Sequence, residues 1–185
     1  PDKIELSAIQ LDLADGGRFE GSGSVVDEQL KLALTTKRFN PQGVHGTLRP
    51  MQLAGKIELK AQAASQQLVA DLRDGRYRFK LDASRQGDQI ELGDVAVQAG
   101  AGRLNAHGTL SLADPNRFTL AGKLADFNPA EFGAYPAAQL TASFSGEGQL
   151  APQPRASVKF EIADSRFRRA PLSGQGSLSL SADRL

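Results

Sequence analysis

The residues that could do chemistry in this chain are few and are spread along its length. The only histidines, His45 and His107, occupy polar positions of predicted strands. A zinc site would need both of them in one place, so exposed polar residues are the simpler interpretation. Asp88, Glu91 and Asp94 lie close in sequence, but no neighbouring pattern predicts a pocket that would shift a carboxyl pKa. We therefore expect neither a metal site nor acid–base catalysis.

Two glycine motifs lack the context that phosphate binding or nucleophilic catalysis requires. Gly100-x-Gly102 follows a strand pattern but opens no helix, and a dinucleotide-binding fingerprint needs that helix. We predict a turn there. Gly21-Ser22-Gly23 lies inside a strand pattern, whereas a nucleophile elbow needs a strand-to-helix turn. The chain also has no cysteine, which excludes disulfides and thiolate chemistry. We predict a protein that is not an enzyme and uses no cofactor.

Charge points to no nucleic-acid partner. The chain has 22 basic and 21 acidic side chains and a formal net charge of +1, so its overall field attracts neither nucleic acid nor anionic lipid. One local cluster stands out, formed by Arg166, Arg168 and Arg169 beside Pro171. These arginines could contact lipid phosphates or an acidic loop, or they could protect a sheet edge against aggregation.

The elements that must position all of these residues are β-strands. Apolar and polar side chains alternate along most of the chain, and this period of two places one set on each face of a sheet. The clearest example runs from Tyr77 to Ala83. The predicted strand segments are 4–13 with a bulge near Ala8 and Ile9, 19–25, 30–34, 44–53, 57–61, 68–72, 77–83, 90–97, 104–112, 118–124, 140–150, 158–162 and 172–182.

Turn and helix signals are short. Asp74-Gly75 predicts a hairpin turn, and Asn128-Pro129 predicts one helical turn with an N-terminal cap, ending near Phe132. The segment 61–67 has helical propensity but only small side chains to bury, so we predict a loop or a strand extension there.

The sequence contains an internal repeat. Asp2–Leu6 resembles Asp88–Leu92, and Phe39-Asn40-Pro41 resembles Phe127-Asn128-Pro129. Gly23 matches Gly108 at nearly the same spacing. We predict a single segment, 1–185, excised from a longer protein, with repeats of approximately 2–87 and 88–185. The predicted fold is all-β: a long, curved antiparallel sheet of repeated strand-turn units with a hydrophobic inner groove.

The apolar stripe of this sheet is the main candidate site. If a second sheet covered it, the stripe would be an ordinary sandwich core. If it stayed accessible, it would be a groove for acyl chains, since each buried methylene gains about 0.8 kcal/mol. The candidate groove residues are Leu30, Leu32, Leu34, Tyr77, Phe79, Leu81, Leu104, Leu110, Leu112, Phe118, Leu120, Leu140, Phe144, Val158, Phe160 and Ile162.

The glycine-punctuated strands and the Phe-Asn-Pro elements resemble the TamB family, within the AsmA-like group of bridge-like lipid-transfer proteins. The resemblance is carried by residues 76–112 and 118–150. It implies a taco-shaped β-sheet in the periplasm of a Gram-negative bacterium, in a protein anchored in the inner membrane. It also implies movement of phospholipid between membranes, or assistance in outer-membrane protein assembly and autotransporter secretion. The implied partner is a TamA-like barrel of the Omp85 class, reached through parts outside this chain.

Two other functions remain open at this point. A chaperone or scaffold module would offer sheet edges to client strands by strand addition. A closed β-sandwich binding module would use the stripe as its core. The open edges of an excised array also predict edge-to-edge association of the fragment with itself.

Overall fold

The structure, a computed structural model, describes residues 3–181 and consists of twelve strands. Asp2, which opens the predicted repeat, and Ala182, which ends the last predicted strand, lie outside the described residues, as do the outer limits 1 and 185. Each strand overlaps a predicted segment. The strands are β1 Lys3–Leu13, β2 Gly17–Val26, β3 Gln29–Phe39, β4 Leu53–Gln62, β5 Ser65–Asp74, β6 Tyr77–Gln86, β7 Gln89–Ala99, β8 Gly102–Ser111, β9 Arg117–Phe127, β10 Ala138–Gln149, β11 Arg155–Phe167 and β12 Ala170–Ser181.

The strands form one antiparallel sheet in which every strand pairs with its sequence neighbours, in the order β1 to β12. Within residues 3–181, β1 and β12 are the two edges of this sheet, and it remains open. The predicted all-β class and curved antiparallel sheet are therefore confirmed. The helices of the described part are two three-residue 3-10 turns, Pro41–Gly43 and Pro129–Glu131. No helix of residues 3–181 has the length and apolar character needed to cross a bilayer.

Local sequence signals explain the turns and one irregularity of the strands. The pairing of β1 with β2 shifts between Leu6 and Ile9, where Ala8 has a φ of 55°, which confirms the predicted bulge. The predicted hairpin after Asp74 is also present, since Asp74 pairs with Tyr77 around Gly75, whose φ is 55°. Residues 61–67 extend β4 and β5 around a tight turn at 63–64.

The predicted strand 44–53 is wrong, because these residues form most of a loop, residues 40–52, and only Leu53 joins the sheet. Two features favour the loop. Pro50 has no N–H for a ladder, and the N–H of Arg49 donates to the carbonyl of Phe132 at 2.7 Å. The backbone of this segment therefore bonds to a distant loop and leaves the neighbouring strands to pair with each other.

Two asparagines organise equivalent loops in the two halves. The side-chain oxygen of Asn40 accepts from the N–H groups of Gln42 and Met51 at 3.2 and 3.3 Å. The side-chain oxygen of Asn128 accepts from Ala130 and Ala138 at 3.2 and 3.1 Å. Each asparagine thus caps a 3-10 turn, as predicted after Asn128, and also anchors the residue that leads into the next strand.

The sheet is curved enough to bring these two loops together. Loop 40–52 follows β3, and the second loop, residues 128–137, follows β9. Six strand spacings would separate them by about 29 Å in a flat sheet. Even so, Leu48 and Gly133 form a β-bridge. We call this end of the sheet, where β3 and β9 finish, the covered end, and the opposite end the open end.

Candidate functional site

The register places the predicted groove residues on one face of the sheet, which we call the apolar face. Directly paired residues share a face, and pairs such as Phe79–Val97, Leu104–Leu124 and Phe144–Phe160 connect the strands across the sheet. The exception is Leu112, which follows the end of β8. The opposite, polar face carries residues such as Arg78, Lys80 and Lys159. The function of the apolar face as a lipid groove remains a prediction.

Part of the apolar face is a true core. We call the buried side chains near the covered end the Phe132 cluster, which consists of Met51, Leu53, Leu72, Ala99 and Phe132. Leu53 is its most buried member, with 2% of its surface exposed. The ring of Phe132 stacks on Phe127 with centroids 5.2 Å apart, and it meets the edges of Tyr77 and Phe79 at 6.0 Å. Loop 128–137 therefore inserts its phenylalanine into the apolar face as a plug.

A polar network fastens this plug. The Glu131 carboxylate accepts hydrogen bonds from Arg76 and from the hydroxyl of Tyr77, the latter at 3.1 Å, and lies 3.8 Å from Arg49. Only 25% of the Glu131 side chain is exposed. The hydrogen bond to the Tyr77 hydroxyl and the charge of Glu131 raise the pKa of Arg76, so this arginine stays charged. The network ties loop 40–52, the start of β6 and loop 128–137 together.

Beyond this cluster and the buried Phe19 and Leu34 beside it, the apolar face stays open. One register row crosses all twelve strands, and we call it the open stripe: Leu6, Gly23, Leu32, Leu59, Leu68, Ala83, Leu92, Gly108, Leu120, Gly146, Val158 and Leu178. Apart from the buried Gly108, its residues are half-buried or exposed, and 40% of Leu120 and 66% of Leu178 are exposed. Within residues 3–181 no second sheet lies over it.

The total surface area supports the same description. The chain exposes 12378 Å² to solvent, whereas a compact monomer of this mass exposes about 8,600 Å². A large exposed apolar surface in a folded protein commonly marks a site for another molecule.

Aromatic rings smooth this surface in the second half of the chain. A Cβ atom at Gly122 would lie 2.5 Å from the ring of Phe144, and one at Gly148 would lie 2.8 Å from the ring of Phe118. Each ring therefore covers a glycine of a neighbouring strand, which closes a gap that exposed backbone would otherwise leave. The result is a continuous hydrocarbon surface with few polar atoms.

The chemistry-bearing residues of the sequence do not converge. His45 lies in loop 40–52 with its Nδ1 atom 2.7 Å from the Thr47 hydroxyl, whereas His107 lies on the polar face of β8. Within residues 3–181, no group of three or more His, Asp or Glu side chains could hold a metal ion. Glu91 and Asp94 are exposed on the polar face of β7, and Asp88 lies in the turn before it.

The remaining sequence motifs have structural roles. Gly100 forms the predicted turn with a φ of 60°. Gly21 and Gly23 lie within β2, and a Cβ atom at Gly21 would come within 2.0 Å of the Ala33 carbonyl oxygen, so β2 and β3 approach each other closely there. Of the arginine cluster, Arg168 and Arg169 form the turn between β11 and β12, and the N–H of Arg168 donates to Ala137 in loop 128–137.

A concavity of about 900 Å³ lies between β8 and β12 and is lined mainly by polar-face side chains. They include Asn105, Lys123, Lys159 and Glu161, and all four are exposed. A twisted sheet is hollow on both faces along different directions. We therefore attribute this hollow to sheet twist, and the candidate site remains the apolar face.

Sequence reasoning missed the Phe132 cluster as a unit. The predicted groove list contains Tyr77 and Phe79 but omits Phe39, Leu53, Phe127 and Phe132. The available signal was the repeated Phe-Asn-Pro element at 39–41 and 127–129, which marks both loops. Their meeting at Leu48 and Gly133 is a non-local contact that no period along the chain encodes.

Comparison with known proteins adds no relative to this picture. A scan against protein-family models finds no match, and neither do searches of curated proteins and of solved structures.

Proposed function

We propose that this chain is a non-enzymatic, lipid-conducting segment of a TamB-like protein, in which acyl chains of phospholipids move along the apolar face. The observation that carries the proposal is the open stripe, which crosses every strand without a covering sheet in residues 3–181. The resemblance of 76–112 and 118–150 to the TamB family supports the same function. On this proposal the protein resides in the periplasm, is anchored in the inner membrane and engages an Omp85-class barrel through other parts.

The energetics of the surface suit movement better than tight capture. Each methylene removed from water gains about 0.8 kcal/mol, and an open surface removes only part of each methylene from water. The leucines and Val158 of the open stripe offer similar aliphatic side chains on either side of its glycines, so no single position holds an acyl chain strongly. The head group stays in water, and discrimination among head groups is weak. Direction of movement must come from a gradient or from other parts of the protein.

The covered end limits the part of the apolar face that acyl chains can follow. Phe132 and its neighbours occupy the apolar face between β4 and β9, so acyl chains are expected to follow the open stripe and avoid this end. Arg49 and Arg76, which contact Glu131, lie beside Phe132 at this limit, and their side chains are half exposed to solvent.

Lipid analysis of the purified protein tests this proposal. The chain is produced in the periplasm of a Gram-negative host, purified without detergent and examined by native mass spectrometry and lipid extraction. The test variant carries Leu120→Asp and Leu178→Asp, two exposed members of the open stripe. The matched control carries Ser145→Asp and Ser177→Asp, which add the same charges to exposed positions of the polar face.

We expect phospholipid with the unaltered chain and the control, and at least a tenfold loss with the test variant, because carboxylates on the stripe must be desolvated by an acyl chain. Far-UV circular dichroism checks that both variants keep the sheet. An unaltered chain without phospholipid, or a folded test variant that retains it, would overturn the proposal.

Strand addition is a second candidate function, because β1 and β12 are the edges of the sheet that residues 3–181 form. A client strand would pair with β1 or β12 and would be indifferent to charges on the open stripe. Client binding that survives the Leu120→Asp and Leu178→Asp changes would favour this function. A closed β-sandwich would need two sheets, whereas residues 3–181 form a single sheet.

A further inference from the structure

We propose that the polar face binds an extended acidic segment of a partner protein. The site lies near the covered end, on two neighbouring register rows of the strands β4 to β9. Their basic members, which we call the basic strip, are Lys56, Arg73, Arg78, Lys80, Arg103 and Lys123. All six of these strands have a paired strand on both sides. The inference concerns side chains of the polar face alone and is independent of lipid binding.

The register gathers these charges into a narrow band. From β4 to β9, the row nearer to the covered end consists of Ala54, Arg73, Arg78, Gln98, Arg103 and Ala125. The next row consists of Lys56, Asp71, Lys80, Ala96, Asn105 and Lys123. Five strand spacings give the band a length of about 24 Å, whereas its two rows lie about 7 Å apart. The basic strip is therefore long and narrow.

Most of this charge has no partner within residues 3–181. The Arg78 guanidinium donates to Asp71 at 2.7 Å, and the other members of the basic strip form no ion pair in the described part of the chain. All members are exposed. Arg73 lies directly opposite Arg78, and like charges placed in this way repel each other. A further carboxylate between the rows would therefore be stabilised.

Asp71 shows what the strip does to a carboxylate. The hydrogen bond from Arg78 lowers the pKa of Asp71, and the charges of Lys80 and Arg73 lower it further. An acidic side chain from another molecule would meet the same cations, without the Asp71 contact having to break, at the members of the strip that form no ion pair.

The neighbouring row indicates the shape of the ligand. On the side toward the open end, the same strands carry three exposed carboxylates on the polar face: Glu58, Asp82 and Asp94. They lie about 7 Å from the strip along the strands. An anionic bilayer laid on this face would meet these carboxylates as well as the strip, and like charges would repel. A single extended chain can follow the strip and avoid them.

The side chains of the strip favour a peptide over single-stranded nucleic acid. Proteins that bind single strands stack the bases on aromatic rings, and the two rows contain no aromatic residue. Arginine, in contrast, matches a carboxylate with two parallel hydrogen bonds. Alternate side chains of an extended peptide lie about 7 Å apart on one side, which suits the spacing between the two rows. The fitting partner is therefore a run of Asp and Glu residues in extended conformation.

Binding of a fluorescein-labelled decaglutamate peptide to the whole chain, followed by fluorescence anisotropy, tests this proposal. At about 3.3 Å per residue the peptide is long enough to span the strip. The test variant carries Arg73→Gln and Arg103→Gln. The matched control carries Lys31→Gln and Lys60→Gln, an exposed pair of opposed polar-face residues nearer to the open end. Both variants lose the same net charge, and far-UV circular dichroism checks that both keep the sheet.

We expect the unaltered chain and the control to bind decaglutamate at low salt, and the test variant to bind at least fivefold more weakly. Binding by the unaltered chain should be lost at about 1 M salt, where the screening length is about 3 Å. Equal weakening of both variants would mean that the peptide responds to net charge alone and would overturn the proposal. Absence of binding by the unaltered chain at low salt would overturn it as well.

Two further probes test the other possible occupants. Vesicles of phosphatidylglycerol and an oligothymidylate are offered to the same three proteins. Vesicle binding that only the test variant loses would assign the strip to a bilayer surface. Tighter binding of oligothymidylate than of decaglutamate would assign it to nucleic acid. Either result would overturn the acidic segment, whereas strip-dependent binding of decaglutamate alone would support it.

Discussion

Leu53 and Leu178 lie on the same apolar face of the same sheet, yet 2% of one and 66% of the other is exposed. Leu53 is buried because loops 40–52 and 128–137 meet above it and insert Phe132. Leu178 lies on β12 at the far end of the open stripe, where no loop of residues 3–181 reaches. One face thus has two regions: a small core beneath the two loops, and an extended hydrocarbon surface that no loop of residues 3–181 covers.

The largest expected effect is the difference in unfolding free energy between identical substitutions in the two regions. Leu53→Ala should lower the free energy of unfolding by about 2–5 kcal/mol, because it leaves a cavity in the Phe132 cluster. Leu178→Ala should lower it by less than about 1 kcal/mol, since little of that side chain is removed from water by folding. Urea titrations of delipidated protein measure the free energy of unfolding of both variants. Equal losses would mean that the open stripe is a core as well.

A milder change sharpens the description of the plug. Phe132→Leu keeps an apolar side chain but removes the stacking on Phe127 and the edge contacts with Tyr77 and Phe79. We expect a loss of about 1–2 kcal/mol in the free energy of unfolding. Phe160→Leu, on the open part of the face, is the matched control and should cost less. A reversed order would contradict the plug.

The polar network should contribute less than the rings. Glu131→Gln removes the carboxylate shared by Arg49, Arg76 and Tyr77. Because both arginines are half exposed, we expect a loss below about 1 kcal/mol. The local effect should be clearer: the amide of Arg49, which donates to the Phe132 carbonyl, should exchange its hydrogen faster. Glu147→Gln on the polar face should leave that exchange rate unchanged.

Acid should weaken the ion pair between Asp71 and Arg78 on the polar face. The hydrogen bond from Arg78 lowers the pKa of Asp71 from 3.8 in the folded state. The stabilisation from this pair is therefore complete above about pH 3.8 and is lost as the pH falls through the folded-state pKa. Since the pair is exposed, the effect is small. Unfolding of an Asp71→Asn variant should converge with that of the unaltered chain at acidic pH, and a widening gap would contradict this sign.

Sequence reasoning recovered what is encoded locally. The period of two predicted the strands, the one-residue slip predicted the bulge at Ala8, and Asn128-Pro129 predicted the capped turn. The segment 44–53 was misassigned because its alternation was mistaken for a strand. Its backbone is instead held by the side chain of Asn40 and the carbonyl of Phe132, and neither contact leaves a periodic trace. The division of the apolar face into covered and open regions depends on such contacts, so it required the structure.

Photo-cross-linking with a phospholipid that carries a diazirine in one acyl chain tests the central claim most directly. Mass spectrometry assigns the modified residues one by one. We predict modification along the open stripe, with Leu120 and Leu178 labelled and the exposed polar-face neighbours Ser145 and Ser177 unlabelled, and no label on Leu53. Equal labelling of both faces, or label concentrated within the Phe132 cluster, would contradict an apolar face that carries acyl chains along its open part.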